Sequence, residues 1–154
     1  MLKVFFSSLT RQIIGALVFL SIISACSFDA REPVPNMTLA STSWTLKTLD
    51  GKPVTIDKLP TIQFDDTRMN GYSGCNQFFG NYTSSSDGIF TTSAVGATKM
   101  ACLDDKNALE QQFFAQLEKA NQYAITLEQL HLLDDKRNIL MVLNATKPAA
   151  DQAK

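Results

Sequence analysis

The chain of 154 residues has one histidine, one tryptophan and three cysteines, and no excess of charge of either sign. One imidazole and three thiols are too few soft ligands for a zinc cluster of known spacing. With 14 Lys and Arg against 15 Asp and Glu the formal net charge is −1. Such a chain has no basic field to draw in nucleic acid and no large acidic tail. Internal repeats and an alternating strand–helix pattern are also missing. What is present is ordinary for a folded domain: 45% of residues belong to the apolar set and 19% are charged, which excludes a disordered or fibrous chain. The length fits one domain, at about 100–200 residues each.

Residues 1–25 read as a lipoprotein signal peptide. Lys3 and Arg11 are the only charges before Cys26, and Ile13 to Ile23 is almost wholly apolar. A basic start, an apolar run of about a dozen residues and then small residues describe an export signal. The run is short for a spanning helix, which needs roughly 20 apolar residues. Ile23-Ser24-Ala25-Cys26 resembles the bacterial lipobox, which makes Cys26 the lipidated first residue of the mature chain; a plainly cleaved signal is the alternative. Several acyl chains on one residue anchor stably, at about 0.8 kcal/mol per buried CH2. By sorting rules, Ser27 rather than Asp at the next position favours the outer membrane. Removing residues 1–25 with their two cations leaves 129 residues and a charge of −3. Residues 26–41 hold Pro33 and Pro35 and few large apolar side chains, as a flexible tether does.

Lipidation of Cys26 leaves Cys75 and Cys102. An even pair in an oxidising compartment predicts a disulfide. It closes a loop of roughly 28 residues, with a chain-entropy contribution of about 3–4 kcal/mol. The rival, a reactive thiol pair, has neither Cys-x-x-Cys spacing nor a neighbouring His.

Short runs with turn punctuation follow. Trp44–Leu49 and Thr61–Asp65 alternate apolar with polar, as half-buried strands do. Asp50-Gly51 is a hairpin turn leading into Lys52–Ile56. Gly71, Gly74 and Gly80 punctuate the next segment, where Gly marks a bulge, a bend or a close backbone approach. Ser84–Gly88 is a loop tip, and Ile89–Val95 resumes as a strand. One amphipathic helix is expected over about 105–121, with Leu109, Phe113, Leu117 and Ala120 on its apolar face. Asp104 or Asn107 can cap it, and Asn107 with Glu110 has capping-box spacing. Tyr123–Leu127, Gln129–Leu133 and Ile139–Leu143 are three more strands, the last two joined by the charged loop Asp134–Asn138. Residues 147–154 are a frayed tail. The expected fold is mainly β in the α+β sense: a small antiparallel barrel-like sheet with one helix.

Candidates for chemistry are sparse. His131 lies between Leu130 and Leu132 in an alternating strand, so it points outward, with no nucleophile and no orienting group implied beside it. The pairs Asp65-Asp66 and Asp104-Asp105 fit no calcium loop. The aromatic stretch from Phe64 to Phe90 reads first as core, with any exposed remainder able to form a ligand or protein surface.

Gly71, Gly74-Cys75-Asn76, Gly80 and Tyr82, followed by Thr98, Met100 and Cys102, resemble the two signature blocks of the META domain family of HslJ-like lipoproteins, and Trp44-Thr45-Leu46 matches its opening. The resemblance spans residues 42–146 as the domain. It implies a compact β-barrel-like fold with one helix in exported proteins, association with stress response, and altered sensitivity to antibiotics such as novobiocin. It supplies no catalytic residues. On this reading Gly74, Asn76 and Gly80 serve tight backbone geometry, Gly for positive φ and Asn for its tolerance of the left-handed region.

The expectation is therefore a monomeric outer-membrane lipoprotein facing the periplasm. It is not an enzyme, carries no cofactor or metal and binds no nucleic acid. It acts as a stress or binding factor on an envelope protein or small molecule. Two alternatives are an inhibitor of an exogenous hydrolase, through the loops Ser84–Gly88 or Asp134–Asn138, and a carrier of a small apolar ligand.

Overall fold

The computed structural model describes residues 38–102, 104–126 and 128–146, with only the backbone of Asp104. The signal peptide, Cys26, most of the tether and the tail 147–154 lie outside the described residues. The described residues belong to one compact unit. Its strands are β1 (Thr42–Leu49), β2 (Lys52–Pro53), β3 (Thr61–Phe64), β4 (Arg68–Tyr72), β5 (Gln77–Ser84) and β6 (Phe90–Ala97), then β7 (Gln122–Ile125), β8 (Gln129–Leu133) and β9 (Ile139–Ala145) after the helix α1 (Asp104–Lys119). The sheet order is β6-β5-β4-β3-β1-β9-β8-β7, with β2 paired to β1. The ladders are all antiparallel. Among the described residues the mainly β, curled sheet with one helix is the expected architecture.

The turns follow their residues. Asp50 and Gly51 both take positive φ, at 49° and 73°, as a two-residue hairpin turn matched to strand twist requires. In β1, Trp44, Leu46 and Leu49 are all buried although they are out of phase. A register shift between Leu46 and Thr48 restores the phase; the extra residue, Lys47, is exposed. The expected strand through Ile56 ends at Pro53. Pro53 has no N–H, and only the Val54 amide still reaches back, to the Lys47 carbonyl at 3.1 Å.

Sheet and helix close over one core. Phe64, Phe78, Phe90 and Phe113 are wholly buried or nearly so, with Trp44, Ile62, Met69, Leu117, Leu130 and Leu143 around them. Phe64 meets Tyr82 edge-on at 4.8 Å, and Phe113 of α1 meets Phe78 of β5 at 5.3 Å. Edge and tilted pairs of this kind add to the burial of the rings. Leu39, placed in the tether by composition, is also fully buried in this core. The Thr42 hydroxyl donates to its carbonyl at 2.5 Å. The packed unit thus begins a few residues before the expected boundary, because one leucine in a polar stretch finds a pocket.

The curl brings the two sheet edges together at one end. Ile89 bridges Gln122, the Phe90 amide donates to the Asn121 carbonyl at 2.9 Å, and the Tyr123 amide to the Gly88 carbonyl at 2.8 Å. Beyond Phe90, strand β6 continues as an edge among the described residues. A groove of about 510 Å³ separates it from α1.

Candidate functional site

The signature residues converge where the β4–β5 turn meets α1. Gly71 needs no unusual φ; a Cβ there would lie 1.9 Å from the Thr61 carbonyl oxygen of β3. It is the close backbone approach that a strand glycine can mark. Gly74 does need its freedom, with φ +114°, and the Tyr72 hydroxyl donates to its carbonyl at 2.5 Å. Gly80 faces Met69 and Val95, which a Cβ would meet at 3.1 Å. Tyr82 is core, with its hydroxyl donating to the Asp65 carbonyl at 2.6 Å. Burial first, and then the Asp66 and Asp65 carboxylates, raise its pKa.

Asn76 corrects the expectation. It is absent from the positive-φ residues, and its side chain does the work. The Asn76 Oδ1 accepts from the Met100 amide at 2.7 Å and the Thr98 hydroxyl at 2.9 Å. Its Nδ2 donates to Glu110 Oε1 at 2.9 Å, and its backbone amide to Glu110 Oε2 at 2.8 Å. The Ser73 hydroxyl lies against Glu110 Oε2 and also 2.8 Å from the Asn76 carbonyl. Asn76 and Ser73 are 3% and 0% exposed, so these bonds satisfy groups that would otherwise be costly to bury. One residue away, Cys75 is joined to Cys102 with 5.9 Å between Cα atoms, as the cysteine count predicts. Thr98, Met100 and Cys102 of the second block are thus tied to the first by two bonds to one amide and one disulfide.

Glu110 makes no capping box with Asn107. Helix α1 starts at Asp104, which puts Asn107 inside it, where its Nδ2 donates to the Cys102 carbonyl at 2.9 Å. Glu110 instead turns its carboxylate onto Asn76. The signal was available: Glu110, Phe113, Phe114 and Leu117 fall at i, i+3, i+4 and i+7, one helical face. Nothing in the local pattern marks Ser73. Among its described partners the Glu110 carboxylate has only Ser73 and Asn76, so the cluster fastens sheet to helix rather than offering an open reacting group.

The other candidates stay apart. His131 is half-exposed on β8, and its recorded side-chain partner is Gln129, at 3.3 Å. Among the described residues no three His, Cys, Asp or Glu converge as metal ligands would. The loop Ser84–Gly88 is stitched down, with the Tyr123 hydroxyl donating to the Ser85 carbonyl at 2.9 Å. In Asp134–Asn138 the Asp134 carboxylate accepts from the Lys136 and Asn138 amides and from Asn138 Nδ2. Those bonds, the Asn138 side chain first, hold its pKa below the usual carboxylate value.

Residues 37–147 match the model of the META domain. Heat shock protein HslJ of Escherichia coli strain K12 is 31% identical over 129 residues, covering 82% of this chain and 91% of HslJ. A protein from Burkholderia xenovorans solved by NMR shares the fold, with a TM-score of 0.59 and 22% identity over 71% of this chain and 84% of its own. A second NMR structure aligns with a TM-score of 0.56 and 27% identity, covering 77% of this chain and 99% of its own. The signature blocks, the helix that Asn76 fastens to the sheet and the match along nearly the whole described domain agree: the chain belongs to the META domain family.

Proposed function

We propose that this chain is an outer-membrane lipoprotein, anchored through Cys26, whose META domain serves without catalysis as a binding factor in envelope stress and antibiotic tolerance. The observation that carries the reading is how the interior and the signature are used. Trp44, Phe64 and Phe113 fill the space inside the curled sheet, at 2%, 0% and 0% exposure. The polar atoms of the signature are spent on one another. Little is left inside for a ligand or a reaction, which supports action through the outer surface. The lipobox-like Ile23–Cys26 and the Cys75–Cys102 disulfide support an exported, oxidised setting. The relative HslJ carries the description heat shock protein, which supports the stress role. The test is metabolic labelling with palmitate, comparing the wild type with Cys26→Ser, together with survival of a deletion strain under heat and novobiocin. Label on the wild type alone, and poorer survival rescued by the wild type but not by Cys26→Ser, are expected. No label, or survival equal to the parent strain, refutes it.

A further inference from the structure

We propose that the open edge of β6 and the face of α1 opposite it bind an extended polypeptide segment, taken up as one more strand and carrying an apolar side chain and a basic one. The inference rests on the binding-factor reading above and names its surface. Three observations place the segment. The first is the unfinished seam between the sheet edges. Phe90 donates to the Asn121 carbonyl, so its amide faces away from β5, and Thr92, two residues on in the same ladder, presents its amide to the same side. At the far end the Thr98 amide donates to the Gln77 carbonyl of β5, which turns the backbone of its neighbour Ala97 outward. Among the described residues no strand follows β6 in the sheet order. A bound segment would continue the seam that β7 begins.

The second observation is the groove itself, about 510 Å³ between this edge and α1, with Val95, Ala97, Phe114 and Leu117 in its walls. Val95 is 39% exposed although it lies against the interior position of Gly80. Ala94, with φ 50°, sits where the β5–β6 register shifts, and a bulge there re-aims the neighbouring side chain. A strand edge facing a helix across a groove with apolar side chains in its walls is a geometry that accepts peptides by β-augmentation: main-chain bonds supply affinity and a pocket for alternate side chains supplies choice. The third observation is charge. Among the described residues Glu118 is the only charged one lining the groove, and it asks for a cation on the occupant.

The test uses the compact unit, residues 35–154, which carries its own core and disulfide. The 15N-labelled domain is titrated with an acetylated, amidated hexapeptide of alternating Val and Thr with one central Lys. Amide shifts confined to Thr92–Ala97 and to the α1 turn holding Phe114 and Leu117 are expected. Thr92→Pro removes one outward amide while sparing the β5 ladder, and should weaken binding about tenfold by the loss of a main-chain bond. The same peptide N-methylated on alternate amides should not bind, and Glu118→Lys should weaken binding at low salt. If Thr92→Pro does not fold, the methylated peptide tests the same bonds from the ligand side. Shifts elsewhere, no shifts, or equal binding of the methylated peptide overturns the proposal. Palmitate labelling and survival report on the anchor and the stress role separately, so failure of one is not failure of the other.

Discussion

Replacing Glu110 by Ala removes the acceptor for the Asn76 amide at 2.8 Å and for Asn76 Nδ2 at 2.9 Å, together with one partner of the Ser73 hydroxyl. The hydroxyl keeps the Asn76 carbonyl, 2.8 Å away. The Asn76 amide keeps only a contact of 3.4 Å to Ser73 Oγ, and Nδ2 keeps only the Cys75 sulfur at 3.2 Å. Two donors on a buried residue are therefore left poorly satisfied. At about 1–3 kcal/mol for each orphaned group, the expected loss is about 3 kcal/mol, or about 10 °C in the thermal midpoint of a domain this size. Equilibrium urea unfolding with the disulfide intact measures it. Glu118→Ala, which removes an exposed carboxylate from the same helix, is the control and should change stability by less than about 0.5 kcal/mol. Combined with Asn76→Ala, Glu110→Ala should show coupling above about 1 kcal/mol. A Glu110→Ala domain within about 0.5 kcal/mol of the wild type, or losses that simply add, would falsify the assignment of this contact as the fastening between helix and sheet.

Gly71→Ala should cost about 3 kcal/mol or more or prevent folding, because its Cβ would sit 1.9 Å from a backbone oxygen; normal soluble yield and an unchanged melting curve would contradict this. Reducing the Cys75–Cys102 bond, which spans a sequence separation of 27, should lower stability by about 3–4 kcal/mol, read from urea curves with and without reductant. An NMR titration should find the Asp134 carboxyl ionising below the usual carboxylate value, and Asn138→Ala should raise it towards that value, since the Asn138 side chain is the leading cause of the shift. A group depressed in the folded state favours folding above its unfolded pKa, and that contribution is lost as pH falls through the folded value.

Seated inside the sheet, the aromatic core bears on how the domain acts. Phe64, Phe78, Phe90 and Phe113 occupy the volume that a ligand-carrying barrel leaves open. The groove beside β6 lies instead where sheet and helix fail to meet fully. The groove is distinct from that filled interior, and of the signature residues Gly80 lies against it, its Cβ position 3.1 Å from Val95.

From the order of residues alone came β1, β3, β6 and the three strands after the helix, the Asp50-Gly51 turn, the helix with Phe113 and Leu117 inward, the cysteine pair and the family. Each is written in local chemistry: period, turn residues, an even thiol count, two spaced blocks. Strands β4 and β5 were hidden by their glycines. The partners of Asn76, the turning of Glu110 away from its own helix end, the burial of Leu39 and the bare edge of β6 were decided only by the fold. They join residues such as Asn76 and Glu110, 34 positions apart, and which side chains meet over that span depends on how the sheet curls and where the helix comes to rest.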